Sequence, residues 1–169
     1  TVSWFQILNS FFIITLASSF SKLSEKVWNP SGPVKFALGL IFVAVGFFAL
    51  SYGSLSIPQG AKTATVSMIW LILAYFFHTL GELCLSPVGL SYVSKLSPKK
   101  FVGLLFGFWF TASAIANFIA GYTGAYIDKI SAMYSLSTFF IIIAALPLSA
   151  ALMLLLFNKK LVKMMHGIK

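Results

Sequence analysis

Negative charge is scarce in this chain and arginine is missing altogether. Three acids, Glu25, Glu82 and Asp128, stand against twelve bases, every one a lysine. Charged residues make up 9% of the total, where a soluble domain carries about a quarter, so a water-soluble globular fold is excluded. A single cysteine, Cys84, excludes an internal disulfide framework and reads as a small buried packing residue. Histidine occurs only at His78 and His166, and beside His78 and Glu82 no second histidine or carboxylate stands near enough in sequence to suggest a metal site. There is no phosphate-binding loop, no zinc-type His/Glu pattern and no G-x-S-x-G elbow, so nothing points to an enzyme. Ser86 and His78 lie eight residues apart on one helix, too far apart for a direct nucleophile–base hydrogen bond. No basic n-region or cleavage site precedes the first apolar run, which rules out reading it as a signal peptide.

What is present is hydrophobic. Of 169 residues, 59% are hydrophobic and 18 are phenylalanine, and the mean hydropathy is +0.96. A spanning helix needs about 20 mostly apolar residues. Five such segments can be drawn, at about 4–23, 34–53, 66–94, 101–126 and 133–157, with turn residues Asn29-Pro30-Ser31-Gly32-Pro33, Ile57-Pro58-Gln59-Gly60 and Ser97-Pro98 between them. The expected fold is all-α and polytopic: a transmembrane bundle over 1–157, followed by a basic tail over 158–169 that lies at the inner membrane surface. No internal repeat relates the segments.

The lysines orient the bundle. Lys22, Lys26, Lys35, Lys95, Lys99, Lys100, Lys159, Lys160, Lys163 and Lys169 flank one side of the spans, and only Lys62 and Lys129 the other. Under the positive-inside rule the C-terminus is cytoplasmic and the chain begins on the outer face. A net charge of +9 distributed this way is a topology and lipid-headgroup signal, and nucleic acid is not expected as a partner.

One acid is out of place. Glu82 sits inside the third segment, where an ionised carboxylate costs on the order of 3 kcal/mol to insert. Intramembrane acids face a bundle interior or wet cavity and mark ion pathways, so Glu82 is the candidate proton-binding residue. Tyr75, His78, Thr79, Ser86 and Gly89 share its helix face. His78, one turn away, is a possible relay, and Ser86 and Pro87 a possible gate; Pro87 lacks an N–H and crowds the carbonyl of Leu83. In the fourth segment Trp109, Ser113 and Asn117 form an i, i+4, i+8 stripe, with Trp109 too deep for an interfacial anchor. Gly103, Gly107, Gly121 and Gly124 read as close helix packing. In the first segment Gln6 and Asn9 are either interhelical contacts or ligand contacts.

The run Gly81-Glu82-Leu83-Cys84-Leu85-Ser86-Pro87-Val88-Gly89-Leu90-Ser91, continued by Lys95-Leu96-Ser97-Pro98, resembles the tenth-helix signature of the proton-dependent oligopeptide transporters, a branch of the major facilitator superfamily. Gln6-Ile7-Leu8-Asn9 resembles the start of that family's eighth helix, and the segment with Trp109 and Ser113 its eleventh, so the resemblance covers the chain as helices eight to twelve. Ser10 and Ala17-Ser18-Ser19 depart from it, standing where the family often has prolines. The resemblance implies proton-coupled symport of di- and tripeptides across the cell membrane, with protons as the coupling ion and no other cofactor. Glu82 would couple protonation to peptide binding, and Asn9, Trp109 and Ser113 would line the pocket. It also implies an N-terminal bundle, in the same polypeptide or a separate chain, without which the pocket is incomplete. The alternatives are a non-transporting membrane sensor or scaffold with the same bundle, or a relative carrying another small solute such as nitrate.

Overall fold

The computed structural model of the protein describes residues 7, 9–17, 30–58 and 66–165, and all its regular elements are helical. Residues 9–17 form α1. The others are α2 (Gly32–Gly53), α3 (Met68–Leu96), α4 (Val102–Ala125), the short α5 (Ile127–Met133) and α6 (Leu136–Met164). With their flanking 3-10 turns, four are long and apolar enough to cross a membrane: Gly32–Ser56, Met68–Leu96, Lys99–Ala125 and Leu136–Met164. The count among the described residues is therefore four where five spans are expected from the sequence. Half of the first expected span, 4–23, lies outside the described residues, as do Gln6 and His166.

Boundaries follow local chemistry. Pro33 occupies the first turn of α2, where its missing N–H costs nothing. Ser135 caps α6 by accepting the Thr138 N–H at 3.1 Å. Two elements differ from expectation. The fourth and fifth spans are joined by α5, whose Asp128 lies in its first turn, where a carboxylate complements the helix dipole. The last helix runs to Met164 rather than 157, because Asn158, Lys159 and Lys160 continue it and Lys163 sits favourably in its last turn. At 29 residues, α3 and α6 are each about 43 Å long, against a hydrocarbon core of about 30 Å, so their ends reach the headgroup zone or the helices tilt. Both contain a proline, Pro87 and Pro147, and both continue through it as single helices.

The bundle is organised on α2, which packs against α3 on one side and α6 on the other. Lipid tails are as apolar as leucine, so helices here associate by close contact rather than by the hydrophobic effect. The residues at the contact surface are accordingly small. Ala37, Ala44, Ala74, Ala144 and Ala151 are at most 2% exposed. At the α2–α3 crossing two glycines face each other: a Cβ on Gly81 would stand 2.8 Å from the Gly39 carbonyl oxygen, and one on Gly39 3.0 Å from that of Gly81. Hydroxyls fasten α2 to the antiparallel α6 at both ends. Ser31 Oγ donates to Asn158 Oδ1 at 2.9 Å, and the Ser51 and Ser137 hydroxyls pair at 2.8 Å.

By contrast, α4 has no buried residue. The four glycines expected to mark close packing, Gly103, Gly107, Gly121 and Gly124, all lie on this helix, and a Cβ added to any of them would meet nothing within 4 Å. That expectation is corrected: the close approaches are on α2 and α3. A composition signal cannot tell a glycine that admits a neighbour from one that faces open space.

Gly81→Ala should therefore force the α2 and α3 backbones apart and destabilise the bundle by about 1–3 kcal/mol, the usual cost of overpacking. Gly103→Ala should leave this chain's stability unchanged or slightly higher, since alanine is the better helix former. Thermal unfolding of the detergent-purified protein measures both.

Candidate functional site

Three helices carry the sequence-predicted site residues: α1 (Asn9), α3 (His78, Thr79, Glu82, Ser86, Pro87) and α4 (Trp109, Ser113). On α3 the residues Tyr75, Thr79, Glu82, Ser86 and Gly89 stay on one side, as helical periodicity requires, but they meet different neighbours.

Thr79 is fully buried and joins α3 to α1. Its Oγ1 lies 2.6 Å from Asn9 Oδ1 and 2.8 Å from the Tyr75 carbonyl oxygen. A hydroxyl has one proton and cannot donate to both oxygens. Both contacts are satisfied when Thr79 donates to Tyr75 and the Asn9 amide turns its NH2 toward Thr79, and we assign that orientation. Phe12 supports the same junction with an edge-on contact to Phe76, ring centroids 5.7 Å apart.

Glu82 follows one turn later. Its side chain is exposed, so among the described residues the acid stands at an open face and not inside the bundle. His78 turns toward α2. Its ring lies 4.6 Å from that of Phe47 and fills the space where a Cβ on Gly46 would sit 2.5 Å from Cδ2. Nε2 is buried without a hydrogen-bond partner among the described residues. The imidazole is thus built into the α2–α3 interface, while the carboxyl of Glu82 faces outward from it.

Gly89 lies seven residues, or about 10 Å, further along the same face of α3. In the sequence it reads as part of the polar stripe beside Pro87. The structure makes it a seat: Gly89 is buried, and the Trp109 indole occupies the space its side chain would take. This is where α4 leans on α3. Ser113, one turn beyond Trp109, is exposed, and its hydroxyl donates back to the Trp109 carbonyl at 3.0 Å. Thr111 and Thr123 do the same with Gly107 and Ile119, as hydroxyls do on a helix that no partner covers. Ser86 is half-buried and Pro87 exposed.

The arrangement is an acid on an open helix face, bracketed by the Asn9–Thr79 pair on one side and Trp109 on the other. Sequence reasoning misses both the pairing of Asn9 with Thr79 and the seating of Trp109 on Gly89. A signal for the first exists, since an amide and a hydroxyl in apolar helices seek each other; the second needs the crossing point. Among the described residues no group of three His, Cys, Asp or Glu could hold a metal ion.

Helices of this length and apolarity are those of a multi-pass, helical-bundle membrane protein, here with an acid on an open face of one helix. The chain belongs to the POT family (PTR2), whose profile matches residues 1–142. It is 38% identical over 158 residues to a peptide transporter, YePEPT, of Yersinia enterocolitica subsp. palearctica, covering 90% of this chain and 30% of that protein. It is 30% identical over 169 residues to a di-/tripeptide transporter of Lactococcus lactis subsp. cremoris, covering 99% of this chain and 33% of that protein. Among solved structures it superposes on a peptide transporter POT in complex with sulfate with a TM-score of 0.76 at 38% identity, covering 93% of this chain and 31% of that one. A second, a POT family transporter in complex with a thioalcohol-conjugated peptide, gives 0.76 at 28% identity over 90% and 30%. The chain spans about a third of the length of these relatives.

The Asn9–Thr79 contact can be tested by a double-mutant cycle. Asn9→Ala and Thr79→Val should each destabilise the purified protein, and the double variant should lose less than their sum, with a coupling of about 0.5–1.5 kcal/mol. Strict additivity in thermal unfolding would mean that the two side chains do not pair.

Proposed function

We propose that the protein containing this chain is a symporter that takes up di- and tripeptides with protons across the cell membrane, and that Glu82 couples the two. The observation that carries the reading is the position of Glu82: an acid at an open face of a membrane helix, flanked by hydrogen-bonding and aromatic groups. Membership of the POT family, and the peptide transporters among its relatives, support peptide as the cargo.

The chemistry follows from what each side chain can do. An ionised Glu82 attracts the ammonium at a peptide's amino end; a protonated Glu82 presents a neutral carboxyl that holds that end less strongly. Symport requires that the bundles reorient with proton and peptide both bound or both absent. The peptide, held also by other groups of the site, crosses together with the protonated carboxyl. Glu82 releases its proton to the cytoplasm as the peptide leaves, and a proton gradient then drives accumulation. Trp109, half-buried against α3, offers an apolar wall and an indole N–H for the peptide's side chains and backbone. Ser113 and Asn9 line the same side, Asn9 held by Thr79. His78 faces α2, so we assign it support of α3 behind Glu82 in preference to a relay step.

Site and chain together are part of a larger machine. Alternating access requires two bundles that rock around a central site, and the open faces of α3 and α4 are where we place the remainder of the transporter. Lysines concentrated at one end of the spans support a cytoplasmic C-terminus, with the basic end of α6, Lys159, Lys160 and Lys163, at the inner membrane surface.

In the full-length protein, Glu82→Gln should abolish proton-driven dipeptide accumulation while leaving counterflow exchange measurable. Accumulation down a pH gradient that survives the substitution would remove Glu82 from the coupling step.

A further inference from the structure

Below the Trp109–Gly89 contact, α2, α3 and α4 enclose a second space. It is a groove of about 490 Å³, walled by Phe36, Tyr92, Leu96, Leu105 and Phe108, with Trp109 at its inner end. Gly89 and Trp109 line its inner end, so the groove adjoins the acid's site at the indole and runs away from Glu82 toward the end of α3. Its other end lies at the connection from α3 to α4, where Ser97 hydrogen-bonds back to the Val93 carbonyl and Lys99 and Lys100 begin a 3-10 turn.

The composition of this groove changes abruptly along its length. The walls are aliphatic and aromatic, whereas Lys99 and Lys100, which follow the lining residue Ser97 in that connection, are exposed. The Lys100 ammonium lies 5.8 Å from the Phe101 ring centroid, which places its charge at the start of α4. No acid occurs between Glu82 and Asp128, so neither α3 beyond Glu82 nor α4 carries a carboxylate beside Lys99 and Lys100. An apolar slot that opens onto a cationic rim at the lysine-rich end of a membrane bundle matches one molecule in both halves: a phospholipid with an anionic headgroup.

We propose that this groove binds an anionic phospholipid, one acyl chain lying between α3 and α4 against Phe108 and Leu105, and its phosphate held by Lys99 and Lys100. Apolar area and surface cations contribute independently, so the site selects headgroup charge through its rim and retains the lipid through its walls. Bound there, the lipid fills the gap between two helices that otherwise touch chiefly through Trp109. The proposal rests on the membrane placement of the bundle and not on its cargo.

The test uses the full-length protein, delipidated in detergent and given equal amounts of phosphatidylglycerol and phosphatidylcholine, with retained lipid read by native mass spectrometry. Phosphatidylglycerol should be retained in preference. The pair Lys99→Gln and Lys100→Gln should lower its affinity on the order of tenfold or more, the effect of removing two surface cations. Leu105→Trp, which fills the groove, should displace both lipids while thermal unfolding confirms that the variant is folded. Lys159→Gln with Lys160→Gln, at the basic end of α6, should leave retention unchanged. Equal retention of the two lipids overturns the proposal. So does a loss with the α6 pair as large as with Lys99 and Lys100, which would mean diffuse attraction, and so does retention unmoved by Leu105→Trp, which would mean that another part of the protein occupies the groove. Peptide uptake is not the readout, so failure here leaves the transport reading standing.

Discussion

The approach of two backbones at Gly39 and Gly81 is the constraint on which the rest of the bundle depends. In hydrocarbon, helices gain little from excluding water, and what holds them is atom-to-atom contact. Contact of that density requires side chains to be absent where the axes cross. With a Cβ on either glycine a carbonyl oxygen would be met at 2.8–3.0 Å, so the crossing exists only because both are glycine. From this point α2 is fixed against α3, and the Ser31–Asn158 and Ser51–Ser137 hydrogen bonds fix α6 against α2. The result is a three-helix slab held by close backbone contact and by hydrogen bonds between neutral side chains.

The functional face is built on the edge of that slab. Thr79 lies near the crossing and ties in α1 through Asn9, and His78 inserts its ring beside Gly46. Both hold α3 in rotation about its own axis, which decides where Glu82 points. A carboxylate costs several kcal/mol wherever it meets lipid, so a helix carrying one must not turn freely. Packing on α2 and α1 leaves one direction uncovered, and Glu82 occupies it. The orientation of the acid is thus a consequence of apolar and neutral contacts behind it.

Much of this is legible in residue order, and the rest is not for identifiable reasons. Apolar length places α2, α3, α4 and α6, since a membrane permits few alternatives to a helix. Glu82 stands out because an acid in such a run is costly. Pro87 suggests a break in α3, yet the helix continues through it, as proline permits when the neighbouring groups adjust. Glycine content misleads on α4, and it does not single out Gly39, Gly81 and Gly89 as the points of close approach. Helical spacing fixes which residues share a face, but only the tertiary arrangement says whether a face has a neighbour. The depth of Trp109 in its span marks it as a wall residue, whereas its contact with Gly89 depends on how α4 crosses α3, which no local pattern encodes.

That crossing also explains why α3 is held so differently along its length. On the α2 side its grip consists of interlocked backbones, which move apart only as rigid bodies. On the α4 side it consists of one indole laid in one glycine notch, with an apolar groove beyond it. A side-chain seat resists displacement far less than a backbone crossing, because aromatic rings slide over small residues without losing many contacts at once. Glu82 lies between these two regimes, its backbone anchored to the rigid slab and its carboxyl on the side of the looser helix. Under the proposed coupling, a change in what the carboxyl holds would act first on the α3–α4 contact, the less tightly interlocked of the two, and not on the slab behind it.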